Sequence, residues 1–159
     1  MSSSTVRHLV VPFEGVDDVR FGMTPQEVAD VAGDAEDVRE DPILEAITER
    51  RGATEHIFED GVLSEIVVYR PGRGAAIREQ LGGAGYEPVL VGDIEILDRS
   101  GFATLCARER MQEGRGGHST LFPDIGILVT GFGKRVPEGA YVAVFPRGSL
   151  GRFATMLEV

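Results

Sequence analysis

The chain has little with which to brace itself covalently. It carries one cysteine, Cys106, in 159 residues. A lone thiol excludes an intramolecular disulfide and a thiolate zinc site, and it suits a reducing compartment. No run of ~18 apolar residues is present, so no transmembrane helix and no membrane partner are expected. The segment Met1–His8 leads into only a short apolar run and does not read as a secretory signal, so a cytoplasmic location is expected. Lysine is nearly absent, Lys134 standing against 15 arginines, which reads as genomic base composition rather than chemistry. Several motifs are missing too. There is no Gly-Lys-Ser/Thr, hence no P-loop. Gly72-Arg73-Gly74 runs on to Ile77, so the dinucleotide fingerprint fails. No acidic segment has calcium-loop spacing. His8, His56 and His118 are not at helical metal-ligand spacing. No metal or cofactor is expected, and no catalytic residue is assigned.

What is present is an ordinary globular composition, with 42% hydrophobic and 26% charged residues. The length fits a single domain. The net charge of −10 is unevenly placed. Residues 1–67 hold 16 acidic and 5 basic side chains, against 10 acidic and 11 basic in 68–159. Between Glu27 and Asp60 there are 12 acidic and 3 basic residues. Phosphates would be repelled there, which argues against nucleic acid as a partner. The same field favours a cationic protein, although a solvated acidic face gives the same pattern.

A first strand is expected at His8–Phe13. Gly22-Met23-Thr24-Pro25-Gln26-Glu27-Val28 then carries the sharpest local signal. Thr24 suits an N-cap, Pro25 the first helical position, and Glu27 completes a capping box. Met23 and Val28 take the positions of a hydrophobic staple. This helix should bury Val28, Val31 and Ala32 and stop at Gly33. Asp41-Pro42 reads as a second helix start, with Ile43, Leu44 and Ile47 as its apolar stripe and Gly52 as its end. Residues 34–40 then form an exposed acidic connector. A hairpin follows, with arms Thr54–Phe58 and Leu63–Tyr69 about Asp60-Gly61. Ile66 to Tyr69 are apolar without a break, so the second arm should be buried on both faces. A short helix is expected over Ala75–Leu81 and a strand over Pro88–Val91. Asp98 or Ser100 can cap a helix carrying Phe102, Leu105 and Cys106, while Phe102–Ala107 also fits a strand. A second hairpin is expected from Ser119–Phe122 into Ile127–Phe132, then a strand at Tyr141–Phe145 and a terminal turn or helix over Arg147–Met156.

The reading is thus an α+β domain with an antiparallel sheet and short helices mainly on one face. Phe58-Glu59-Asp60-Gly61-Val62-Leu63 is echoed by Phe122-Pro123-Asp124-Ile125-Gly126-Ile127-Leu128. That echo suggests two helix-plus-hairpin units, 8–70 and 86–146, although Asp-Gly turns recur in any hairpin.

The Gly-Met-Thr-x-x-Glu-Val helix start at Gly22–Val28, with its later hairpin, resembles small α+β proteins of the β-lactamase-inhibitor-like and polymorphic-toxin immunity type. In such proteins the motif starts a helix that packs on an antiparallel sheet, and the function is protein binding. The paired cysteines of the secreted inhibitors and the lipidation cysteine of the related lipoproteins are missing. The resemblance therefore implies a cytoplasmic, non-catalytic inhibitor of a basic toxin domain. Asp34, Glu36, Asp37, Glu40, Asp41 and Glu45 are the candidate partner-binding residues, and Tyr69, Tyr86 and Tyr141 the candidate aromatic anchors.

A rival reading is enzymatic. Tyr69-Arg70-Pro71-Gly72-Arg73-Gly74-Ala75 resembles the pyrophosphate loop of acetyl-CoA-dependent N-acetyltransferases. Tyr69 stands where those enzymes carry Gln or Arg, and the following helix is short. Of the remaining chemistry-bearing residues, Cys106 reads as a small buried apolar side chain. His56 reads as structural, and His118 as a solvated loop residue.

Overall fold

A computed structural model describes residues 7–71, 79–132 and 139–157. The Gly72–Gly74 turn and most of the helix expected at Ala75–Leu81 lie outside these residues.

The fold is α+β. Strands β1 (His8–Val11), β2 (Gly15–Val16) and β3 (Val19–Arg20) precede helix α1 (Pro25–Ala32). Strands β4 (Asp37–Asp41), β5 (Ala46–Arg51), β6 (Thr54–Glu59) and β7 (Val62–Pro71) follow. After β8 (Val89–Val91) and β9 (Ile94–Glu95) comes α2 (Arg99–Arg108). The chain closes with β10 (Gln112–Glu113), β11 (Ser119–Phe122), β12 (Ile127–Thr130), β13 (Gly139–Val144), a 3₁₀ turn (Arg147–Ser149) and α3 (Leu150–Met156).

Eight strands form one antiparallel sheet in the order β10-β11-β12-β13-β7-β6-β5-β4. Both echoed hairpins belong to it, separated by β13. A second sheet of five short strands has the order β3-β2-β1-β8-β9. Its central pair departs from the antiparallel expectation. β1 and β8 run parallel, with His8 opposite Val89.

Period-2 alternation divides the core. On one face of the large sheet Phe58, Ile66, Val68, Phe122, Ile127, Val142 and Val144 pack with Val10 and Val16 of the small sheet, Val28 of α1 and Leu105 of α2. On the other face Val67, Leu121, Leu128 and Ala143 pack with Phe145 and with Phe153 of α3. β7 is therefore buried on both sides, as its unbroken apolar run implies. Asp60 and Gly61 turn into it at φ 53° and 81°. Positive φ at both central residues matches the twist of the flanking strands.

Helix α1 forms as its caps dictate. The Glu27 N–H donates to Thr24 Oγ1 at 3.2 Å, and the Thr24 N–H donates to Glu27 Oε1 at 3.1 Å. Val28 is fully buried, and Gly33 ends the helix at φ 88°. Val31 and Ala32, expected in the core, are exposed instead.

The second expected helix is a hairpin. Asp41 Oδ1 accepts from the N–H groups of Ile43 and Leu44 at 3.0 and 3.1 Å, the bonds an N-cap would make. Glu45 then enters the left-handed region at φ 51° and reverses the chain. β5 pairs with both β4 and β6, so ladder bonds replace the single turn a helix would have gained. Only Ile47 of the supposed stripe packs on the core, while Ile43 and Leu44 are 90% and 71% exposed. Residues 37–40, expected as part of a connector, form with Asp41, expected as a helix cap, the exposed edge strand β4.

Candidate functional site

Two features stand out on this frame, the acidic hairpin β4–β5 and a cavity where the sheets meet. All five residues of β4 are exposed. Its register against β5 places Asp37, Arg39 and Asp41 on one face and Val38 and Glu40 on the other. The six candidate acidic residues are thus all exposed, but they do not form one patch. Asp34 lies in the connector after α1. Asp37, Glu40 and Asp41 alternate along the edge, and Glu45 sits in the turn. Glu36 is drawn aside toward the cavity. It accepts from Arg50 Nη1 at 2.7 Å and from the Gly52 N–H at 3.1 Å. Among the candidate aromatic anchors, Tyr69 donates to buried Glu55 at 3.0 Å, and Tyr141 packs on Tyr69 with ring centres 5.5 Å apart. Tyr86 is 37% exposed, but its hydroxyl bonds to Glu95 and its ring lies under Arg70.

The cavity has a volume of about 430 Å³. Val16, Val19, Val31 and Ala32 supply its apolar wall, and His8, Asp17, Asp18, Glu36, Arg51, Thr54, His56 and Glu87 its polar lining. Three pieces of backbone place the central group. The parallel pairing of β1 with β8 sets His8 beside the segment carrying Glu87, with the His8 N–H donating to the Pro88 carbonyl at 2.9 Å. The β2–β3 turn brings Asp17 back over β1, where it accepts from the Leu9 N–H at 2.8 Å. Glu87 also accepts from the Ala53 N–H at 3.1 Å, which ties it to the β5–β6 turn. Gly52 in that turn is at φ 59°, and a Cβ there would lie 2.6 Å from Glu87 Oε2. Glycine meets both without strain, whereas a side chain there would have to accept the left-handed backbone and push the Glu87 carboxylate aside.

His8 Nδ1 lies 3.0 Å from Asp17 Oδ2, and Nε2 lies 2.7 Å from Glu87 Oε1. Ionised carboxylates only accept, so this geometry favours a proton on both ring nitrogens, the imidazolium form. Burial opposes that charge, but the bonds to Glu87 and Asp17 outweigh it and raise the His8 pKa. Burial likewise opposes ionisation of Glu87, yet the His8 and Ala53 donors hold its carboxyl below the usual range. Thr54 Oγ1 lies 3.4 Å from His8 Nε2.

His56 is the counterpart. It faces the cavity from β6, two residues along from Thr54, and is 4% exposed. Burial, then the nearby Arg51 and His8 charges, push its pKa down to about 4. Its Nδ1 lies 3.1 Å from Arg51 Nη1. Guanidinium can only donate, so Nδ1 accepts and the proton sits on Nε2. Arg51 Nε also donates to the Gly33 carbonyl at 2.8 Å, which locks the end of α1 against β5.

Spacing alone does not reveal this group, because residues 8, 17, 54, 56 and 87 meet only through the parallel β1–β8 pairing, the β2–β3 turn and the β5–β6 turn together. His118 is exposed, as expected of a loop residue. Cys106 is half-buried against the core, where burial pushes its thiol pKa up. Among the described residues no group of three or more His, Cys, Asp or Glu could hold a metal ion. No helix among them is long and apolar enough to cross a membrane. No known protein family, curated protein or solved structure matches the chain.

Proposed function

We propose that the protein is a non-catalytic binding protein that docks its β4–β5 hairpin on a cationic protein, as an immunity-type inhibitor of a basic toxin domain would. The observation that carries this reading is the hairpin tip. Ile43 and Leu44 stand 90% and 71% exposed, within an edge strand and turn that also expose Asp37, Glu40, Asp41 and Glu45. Two adjacent exposed aliphatic residues suit a partner pocket, since a few desolvated anchors carry most interface energy. The surrounding carboxylates supply the long-range field. Opposite charge can raise association rates to roughly 10⁸ M⁻¹s⁻¹ at low salt. Charged residues on an edge strand also discourage pairing with other strands. Contact through the tip and side chains is therefore favoured over strand addition.

The test is co-expression with a basic toxin domain encoded beside this gene. The chain is expected to rescue growth and to co-purify with that domain. A neighbouring toxin that kills equally well with the chain present, or a locus with no such gene, would overturn the reading.

A further inference from the structure

The cavity between the sheets has its own chemistry, independent of the hairpin. Its floor offers donors. The His56 Nε2–H has no partner among the described residues, although the imidazole is 4% exposed and lines the space. It is therefore open to whatever enters. The Thr54 hydroxyl sits beside it on the same face of β6. A neutral N–H and a hydroxyl ask for an acceptor such as a carbonyl oxygen.

The lining as a whole is anionic. Asp17, Asp18, Glu36 and Glu87 face Arg51 and the His8 imidazolium, an excess of two negative charges. Adding the flanking partners Glu49 and Arg50 leaves that excess unchanged. Asp17, Glu36 and Glu87 are already bonded. Asp18 is exposed and makes no hydrogen bond or ion pair among the described residues, so it is free to meet a cation. An anion would be repelled. The same cavity is lined by Val16, Val19, Val31 and Ala32, with Val31 left 47% exposed at the mouth. A helix ending in two exposed apolar residues beside a cavity leaves surface for a ligand to cover.

We propose that this cavity receives the amino-terminal residue of a peptide chain with an aliphatic first side chain. An α-ammonium, a neutral carbonyl one carbon away and a branched hydrocarbon match, in turn, Asp18, the His56–Thr54 floor and the valine wall. The volume of about 430 Å³ accommodates one such residue.

Leucinamide is the minimal probe. It is added at about pH 6.5, below the ordinary α-amino range of roughly 7.7–8.0, so that its amine is charged. Binding is read from the His56 imidazole resonances and from calorimetry. Leucinamide and a Leu-Gly-Gly peptide are expected to bind and to shift His56. N-acetyl-leucinamide, which lacks the cation, is expected to bind severalfold more weakly than leucinamide, and 4-methylpentanoate, which is an anion, neither to bind nor to shift His56. Asp18→Asn should weaken leucinamide roughly two- to fivefold, the worth of an exposed ion pair. Val31→Trp, at an exposed position that leaves folding intact, should block the mouth and abolish binding.

No His56 shift with millimolar leucinamide would overturn the proposal. So would equal binding of the acetylated probe, or undiminished binding to the Val31→Trp protein. Binding of leucinamide without the tripeptide would refute the peptide chain as source. Substitutions at Ile43 and Leu44 are expected to leave all of this unchanged, which separates the cavity from the hairpin.

Discussion

His8 and His56 line one cavity and titrate in opposite senses. His8 has a folded pKa above 6.5, so its clamp on Asp17 and Glu87 is complete below that pH and is lost as pH rises through the folded value. Glu87 has a folded pKa below 4.5, so its contribution is present above that pH and is lost as pH falls through the folded value. His56 falls from 6.5 to about 4, so folding excludes a proton that the unfolded chain takes up. Its share of stability is present above 6.5 and disappears between 6.5 and about 4. That share is on the order of 3 kcal/mol. Urea unfolding across this window should show wild-type stability falling with acid. His56→Gln, which keeps an acceptor for Arg51 but does not titrate, should flatten the fall. An identical slope in the variant would assign the acid loss to other groups. Gly52→Ala probes the β5–β6 turn that holds Glu87. Its positive φ and the close approach of Glu87 should make it destabilising by more than about 1 kcal/mol, measured by the same unfolding curves.

At the scale of elements, α1 is the part most fully legible beforehand. Its cap, staple and stop are local, and local chemistry decides them. Thr24→Ala should remove about 1 kcal/mol, seen as a lowered unfolding midpoint with unchanged denaturant slope. The β6–β7 hairpin was legible for a similar reason, since Asp60-Gly61 fixes a turn that its flanking strands must obey. The β4–β5 hairpin was not. Asp41-Pro42 followed by Ile43, Leu44 and Ile47 satisfies a helix start, and Asp41 does bond to the N–H groups two and three residues on. The decision came from β6, which offers β5 a full ladder that no local signal announces. Val31 and Ala32 were misplaced for a related reason. They continue the apolar stripe of α1, but of that stripe only Val28 belongs to the core, and the last turn opens on the cavity. The acidic candidates were visible as composition, yet their alternation across β4 followed only from knowing that the segment is a strand.

At the scale of the whole molecule, the decisive unforeseen contact is the parallel pairing of β1 with β8. It joins segments far apart in sequence, and from it come the meeting of His8 with Glu87 and the cavity itself. The charge asymmetry also takes on a shape. The acidic first part of the chain includes β4 to β6, the strands at one end of the large sheet, so many of its carboxylates lie on the side that carries the exposed tip. Association with a basic partner should therefore slow as ionic strength rises, and Asp37→Lys with Glu40→Lys should reduce the on-rate more than they speed dissociation. The most direct test of the account replaces the tip itself. Ile43→Asp with Leu44→Asp changes two side chains that are 90% and 71% exposed, so thermal stability should stay within about 0.5 kcal/mol of wild type. In co-expression with a basic toxin domain of the proposed kind, this double variant should fold normally and fail to protect. Protection equal to wild type from a folded double variant would contradict the hairpin as the docking element.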